Sequence, residues 1–136
     1  MAEVADFLRE NVQNPNQTEK VTFKRFKSPF EIKSLSGEDI RDIRASVTKQ
    51  VLNKKTHQYE QQVDQNKFAD AVIVASVVVP DLNSAELQKN WGTIGEPAVL
   101  LGRMLTAGEY NQLSEKVMDI SGLNDNIEDD IEEAKN

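Results

Sequence analysis

The sequence predicts an α+β domain that is predominantly α-helical, with an N-terminal β-hairpin followed by a bundle of about five or six helices. Three observations predict it. A length of 136 residues fits one core of ordinary size rather than two. The apolar period shifts from alternation to helical spacing near residue 35. Beyond that point, helix-start residues stand ahead of apolar stripes at Ser36, Asn83 and Thr106. The chain then divides into a short amphipathic helix over 1–14, a single globular domain over 15–123 and an acidic helix or tail over 124–136. Within the domain the hairpin occupies about 20–35, and helices run from about 37.

Each element has its own signal. Val4, Phe7, Leu8 and Val12 lie at helical spacing on one narrow stripe. Such a short helix is marginal alone and must dock on the body, dock on a partner or fray. Asn14-Pro15-Asn16-Gln17 breaks it. Val21 and Phe23 then alternate with polar residues, as do Phe30 and Ile32. Lys27-Ser28-Pro29 lies between the two runs and Phe26 near the turn, which together read as a hairpin. A hairpin needs helices packed on its apolar face. Ser36 caps the next helix, whose face is Ile40, Ile43, Val47 and Val51, and Lys49, Lys54, Lys55 and His57 leave a basic patch near its end. Residues 53–66 are polar and read as an exposed loop.

Phe68 to Val79 is ambiguous. Its β-branched residues favour a strand, whereas its length and its alanines favour a buried helix that Pro80 ends. We read a central helix over about 67–79. Asn83 with Glu86 forms a capping-box pattern ahead of Leu87 and Trp91. Pro97 occupies a first helical position, followed by the face Ala98, Leu101, Met104 and Leu105. Thr106 with Glu109 repeats the capping box ahead of Tyr110, Leu113, Val117 and Ile120, and Gly122 stops that helix. Ile127, Ile131 and Ala134 form a last, weakly amphipathic stripe among acids.

Charge is unevenly placed. Residues 107–136 hold nine acids against Lys116 and Lys135, which is the whole net charge of −7, so the first 106 residues are neutral. The plain reading of the acidic end is a solvated segment that keeps the protein soluble; the sharper one is recognition of a basic partner. The start of the chain carries Glu3 and Asp6 rather than a basic run, which argues against a signal peptide. The longest apolar stretch, Ala71 to Val79, falls short of the roughly 20 residues a membrane-spanning helix needs. These features place the protein in the cytoplasm.

The composition excludes much chemistry. With no cysteine there is no disulfide framework, thiolate zinc site or cysteine nucleophile. His57 is the sole histidine and reads as a surface residue in a polar loop, not as a member of a triad. No glycine-rich phosphate loop is present. The run Asn124 to Asp130 fails the calcium-loop pattern, since Ile127 and Asp130 stand where a ligand and a glycine are required. Phe23-Lys24-Arg25-Phe26-Lys27 interleaves aromatic and basic residues, yet reads better as a hairpin with its rings in the core than as a nucleic-acid strand. Trp91 reads as a core anchor before it reads as an interface hot spot. The expectation is therefore no catalytic residue, no cofactor, no metal, no nucleic acid and no membrane.

The helical half carries a resemblance. Pro80-Asp-Leu-Asn-Ser-Ala-Glu-Leu-Gln88, Gly92 to Gly95, Leu100-Leu101, Met104-Leu105 and Ala107-Gly-Glu-Tyr110 resemble the tail assembly chaperones of phages and PBSX-like prophages of Gram-positive bacteria (XkdN-like). Leu35 to Thr48, with Glu38-Asp39-Ile40-Arg41 and Arg44, and the ending Glu132 to Asn136 are similar to that family too. The resemblance covers about residues 30–136. It implies a non-enzymatic role: binding the tape-measure protein in the host cytoplasm and keeping it soluble until the tail tube polymerises. On that reading the tail tube protein is a further partner, a homo-oligomer is an open state, and the mature virion lacks this chain. The rival reading is a structural tail component retained in the virion. The partner-binding candidates, chosen from the residues themselves, are Phe7, Leu8 and Trp91.

Overall fold

The computed structural model describes residues 2–13 and 17–123. Among them, five helices and five strands form in the order β1 (Thr18–Val21), β2 (Phe30–Lys33), α1 (Gly37–Ser46), β3 (Thr48–Asn53), β4 (Gln58–Val63), α2 (Gln65–Ser76), β5 (Val77–Val79), α3 (Ala85–Asn90), α4 (Pro97–Met104) and α5 (Ala107–Ile120). The expected helical bundle behind an N-terminal hairpin does not form. Instead there are two antiparallel sheets, a three-stranded one in the order β1-β2-β5 and a separate ribbon of β3 and β4.

The first hairpin pairs Thr18 with Lys33 and Val21 with Phe30. Its connection carries Phe23 and Phe26. With Phe30 they form three edge-to-face ring pairs, with centroids 5.2–6.3 Å apart. Phe23 and Phe30 are buried and Phe26 is half-buried. The aromatic run is thus core, as the sequence favoured. Central strand β2 takes β5 on its other edge. Helices α2 and α5 pack against this sheet. The core comprises Ile32, Val72, Ile73, Leu100, Leu101, Leu113 and Val117 together with their neighbours.

Two departures from the sequence reading explain the missing bundle. Helix α1 begins where expected, with Ser36 Oγ accepting from Asp39 N at 3.1 Å and Ser36 N donating back to the Asp39 carboxylate. It ends at Ser46 instead of running through Val51. Ser46 Oγ donates to the Ile43 carbonyl at 2.6 Å, and Thr48 Oγ1 donates to the Arg44 carbonyl at 2.7 Å. These hydroxyls satisfy the last-turn carbonyls locally, which lets the chain leave the helix. The expected polar loop then turns out to be a ribbon. Asn53 Oδ1 accepts from Lys55 N at 2.9 Å, and His57 takes a φ of 59° in the tight connection.

The second departure is at Phe68 to Val79, where both readings hold in turn. Helix α2 spans Gln65–Ser76, with Asp64 accepting from Lys67 N at its start. Three consecutive valines then form β5. The switch is pinned by Ser76, which is wholly buried and donates its hydroxyl to the Lys33 carbonyl of β2 at 2.6 Å. A serine at that point ends the apolar helical face and tethers the strand.

Smaller differences are local. The cap of α3 is Ser84, one residue after the expected Asn83; Ser84 Oγ accepts from Leu87 N. Pro97 opens α4 as expected. The Thr106–Glu109 capping box opens α5, with reciprocal bonds of 2.8 and 3.2 Å. Residues 4–12 form two 3₁₀ turns, Val4–Phe7 and Arg9–Asn11, in place of an α-helix. A stripe that buries nothing on the body leaves so short a segment without the packing that usually stabilises a helix. The last expected helix, the Asn14-Pro15-Asn16 break and the calcium-like run all lie outside the described residues.

Glu109 links the hairpin connection to α5. Arg25 Nε donates to both its oxygens at 3.2 and 3.1 Å, and Arg25 Nη2 also donates to the Met104 carbonyl at 2.8 Å. The Arg25 guanidinium, helped by the Thr106 backbone amide, pulls the Glu109 carboxyl from its ordinary 4.5 down to about 2. A depressed folded-state value means the stabilisation is fully present above about pH 4.5 and is lost as pH falls toward 2. Replacement of Glu109 by Gln is therefore expected to flatten the acid limb of stability in that window while lowering stability at neutral pH. Urea midpoints measured from pH 6 to pH 2.5 check this. An unchanged acid limb in the Gln variant would assign the loss to other carboxylates.

Candidate interaction surface

The described residues present exposed apolar surface. Among them no group of three or more His, Asp or Glu side chains is placed to hold a metal ion. Among the described residues no helix is long and apolar enough to cross a membrane. His57 lies at the exposed end of the ribbon.

Two of the exposed apolar parts are candidates for binding. The first is the N-terminal segment. Val4, Phe7, Leu8 and Val12 are all exposed, Phe7 at 72%. The segment is held by its own hydrogen bonds, including Asn11 Nδ2 to the Ala5 carbonyl at 2.7 Å and Glu3 N to the Asp6 carboxylate at 3.2 Å. The sequence left open whether Phe7 and Leu8 pack on their own domain. Here they face solvent.

The second part is a groove of about 350 Å³ between α2 and the start of α4. Its apolar lining is Ala71, Val74, Pro97, Ala98 and Val99, with Lys67, Asp70 and Glu96 also lining it. The α2 residues recur at i, i+3, i+4 and i+7, so they share one helix face. Pro97 pre-sets the first turn of α4 and holds its neighbours against that face. Exposed Ile94 stands in the loop just before the groove. Asp70 is oriented by the Tyr110 hydroxyl, which donates to its carboxylate. Partial burial, then the Asp70 hydrogen bond, raises the Tyr110 hydroxyl well above its usual range. It therefore remains a donor at all ordinary pH.

Trp91 belongs to neither part. It is half-buried and packs against the core. Its carbonyl and that of Gly92 accept from Arg103 Nη1 at 3.0 and 3.2 Å, and Gly92 takes a φ of 71° there. The turn is completed by Gln88, which donates to the Leu82 carbonyl at 2.8 Å and accepts from Gly95 N at 3.0 Å. Trp91 thus anchors the α3–α4 connection and is not brought together with Phe7 and Leu8.

Sequence reasoning did not single out the groove. Its signal was available in one valine, Val99, that falls outside the core stripe of α4. The α4 face was read as Ala98, Leu101, Met104 and Leu105, which leaves Val99 unexplained. It is exposed in the fold, whereas Leu100 and Leu101 beside it are fully buried. Apolar residues off a helix's core face mark contact surface when they converge with others of the same kind.

A sequence model of the family described as phage XkdN-like tail assembly chaperone protein matches residues 4–135. The XkdN protein of the phage-like element PBSX of Bacillus subtilis (strain 168) is 30% identical over 109 residues, 79% of this chain and 72% of the relative. YqbN of the same strain is 29% identical over 109 residues, with the same coverage of each chain. The crystal structure of YqbN superposes with a TM-score of 0.66 at 18% identity, over 90% of this chain and 98% of that one. That superposition concerns the fold: the overall chain path is shared with a solved structure.

Proposed function

This chain belongs to the phage XkdN-like tail assembly chaperones, and we propose that within that family it binds the tape-measure protein, in the host cytoplasm, and keeps it soluble until the tail tube forms around it. The observation that carries the reading is exposed apolar surface in two places. Val4, Phe7, Leu8 and Val12 form one, and the α2–α4 groove forms the other. A client with long apolar helical segments offers a face at i, i+3, i+4 and i+7 spacing that fits such a groove. Two modest contacts on one client raise avidity while each remains releasable. Competing tube subunits can then displace them in turn. The net charge of −7 opposes nonspecific association of the loaded complex. On this reading the protein works by binding, not by catalysis, and leaves before the virion matures.

The test is co-expression with the tape-measure protein, scored by the client's solubility and by co-purification. The wild-type chain is expected to hold the client in the soluble fraction. The double change Phe7→Ser and Leu8→Ser is expected to lower co-purification about tenfold or more, the loss of two desolvated apolar anchors. Circular dichroism should be unchanged, because neither residue is buried. A client that stays insoluble with wild-type protein present, and does not associate with it, would overturn the chaperone reading. Recovery of this chain in purified particles would support a retained tail component instead.

A further inference from the structure

The β3–β4 ribbon is the least supported element in the fold. None of its residues is buried. Isolated two-stranded hairpins are marginal in water. The exposed pair Leu52 and Tyr59, opposite each other in register, has no cover from the body; Tyr59 is 70% exposed. The ribbon is also basic in an acidic protein. Lys49, Lys54 and Lys55 stand against Glu60 alone. Among the described residues none of the three lysines is in an ion pair, and the Glu60 carboxylate accepts from Asn53 Nδ2 at 2.8 Å.

We propose that the ribbon is the docking surface for the chain's own acidic C-terminal segment, residues 124–136. Complementarity is the first argument. That segment has six acids against Lys135, and its Ile131 supplies an apolar partner for Leu52 and Tyr59. It holds −5 of the net charge of −7, and the ribbon, with Lys49, Lys54 and Lys55 against Glu60, carries charge of the other sign. Reach is the second argument. Leu35 N donates to Ser121 Oγ at 3.1 Å, so the end of α5 lies beside the start of α1. Ten-residue α1 carries the chain about 15 Å to the ribbon base. That base is closed by Asp64 N donating to the Val47 carbonyl at 3.1 Å. Six strand residues add about 20 Å to the tip. Helix and strand together account for about 35 Å of the path, before the short joints at either end of α1, and thirteen residues can span about 43 Å, so the segment can lie along the ribbon. A tethered segment acts at an effective concentration near the millimolar range, so even a weak contact is populated. The surface is distinct from the groove and from the N-terminal stripe, and the docking does not depend on the identity of any client.

The chain has no cysteine, so Glu133→Cys accepts a single nitroxide label on the full-length protein. Amides of residues 49–63 are expected to lose more than half their intensity to paramagnetic broadening at low salt. They should recover in 1 M NaCl and in the Lys54→Glu/Lys55→Glu variant, whose dispersed spectrum would show that it folds. Undiminished ribbon amides at low salt would overturn the docking. Broadening that appears only when labelled, unenriched protein is mixed with unlabelled, ¹⁵N-enriched protein would also overturn it, by assigning the contact to a second copy.

Discussion

Replacement of Leu113 by Ala is expected to produce the largest loss of stability of any single change considered, about 3–5 kcal/mol. Leu113 is fully buried in the middle of α5, and Val117 one turn later is equally inaccessible. Helix α5 lies against β1, β2 and α2. The side chain is fully enclosed on a helix packed against three other elements, so truncation leaves space that close-packed neighbours fill only in part. The loss combines the transfer free energy of the removed carbons with the cost of an unfilled cavity. For a domain whose stability is of order 5–15 kcal/mol, this is a substantial fraction. The midpoint of thermal unfolding should fall by about 10 °C or more. The urea m-value should stay constant, since the surface exposed on unfolding hardly changes. Leu113→Met keeps the volume and should cost less than about 1.5 kcal/mol. Equal losses for Ala and Met would mean that shape at this position, rather than buried volume, decides the outcome.

The position of Leu113 was readable in the sequence, and the reason it was readable separates what the chain reveals from what it conceals. Helix α5 has a capping box at Thr106 and Glu109, an apolar residue at every expected turn, and Gly122 with a φ of 73° just beyond its end. Local signals and tertiary packing agree there, so periodicity suffices. They disagree around the ribbon. Val47 and Val51 continue the α1 stripe in spacing, but the hydroxyls of Ser46 and Thr48 end the helix first. The ribbon that follows buries no face, so it has no alternation to reveal it. At Phe68 to Val79 the composition supports helix and strand equally. What decides is the unpaired edge of β2, a long-range partner that no local window contains. The candidate surface was legible in part. Phe7 and Leu8 were chosen because their stripe had no obvious home on the body, and both are exposed. The groove was missed because its residues come from α2 and α4, whose adjacency is a property of the fold. Trp91, read as a core anchor before a hot spot, is half-buried and packs against the core.

The substitution Val99→Asp is expected to have the largest effect on client capture while leaving the fold intact. Val99 is 41% exposed on the first turn of α4, next to buried Leu100 and Leu101. Its replacement leaves the core untouched and should change stability by no more than about 0.5 kcal/mol. In the groove the change is more severe. The new carboxylate would join Asp70 and Glu96, which already line it, with Lys67 as the cation of the lining. An apolar client face would then have to desolvate a charge with no partner for it, a cost of several kcal/mol. The complex should therefore weaken by about 30-fold or more, the scale of a true hot spot. Val99→Leu extends the apolar lining and should preserve or strengthen binding, so the pair separates apolar contact from mere occupancy. Co-purification of the tape-measure protein with each variant, alongside thermal midpoints, measures both consequences. A Val99→Asp chain that retains its client, beside a Phe7→Ser/Leu8→Ser chain that loses it, would move the binding surface to the N-terminal stripe alone. Loss in both variants at unchanged midpoints is the result expected if the client is gripped at two places. In that arrangement the grip can be undone one contact at a time, as the proposed handover to a growing tube requires.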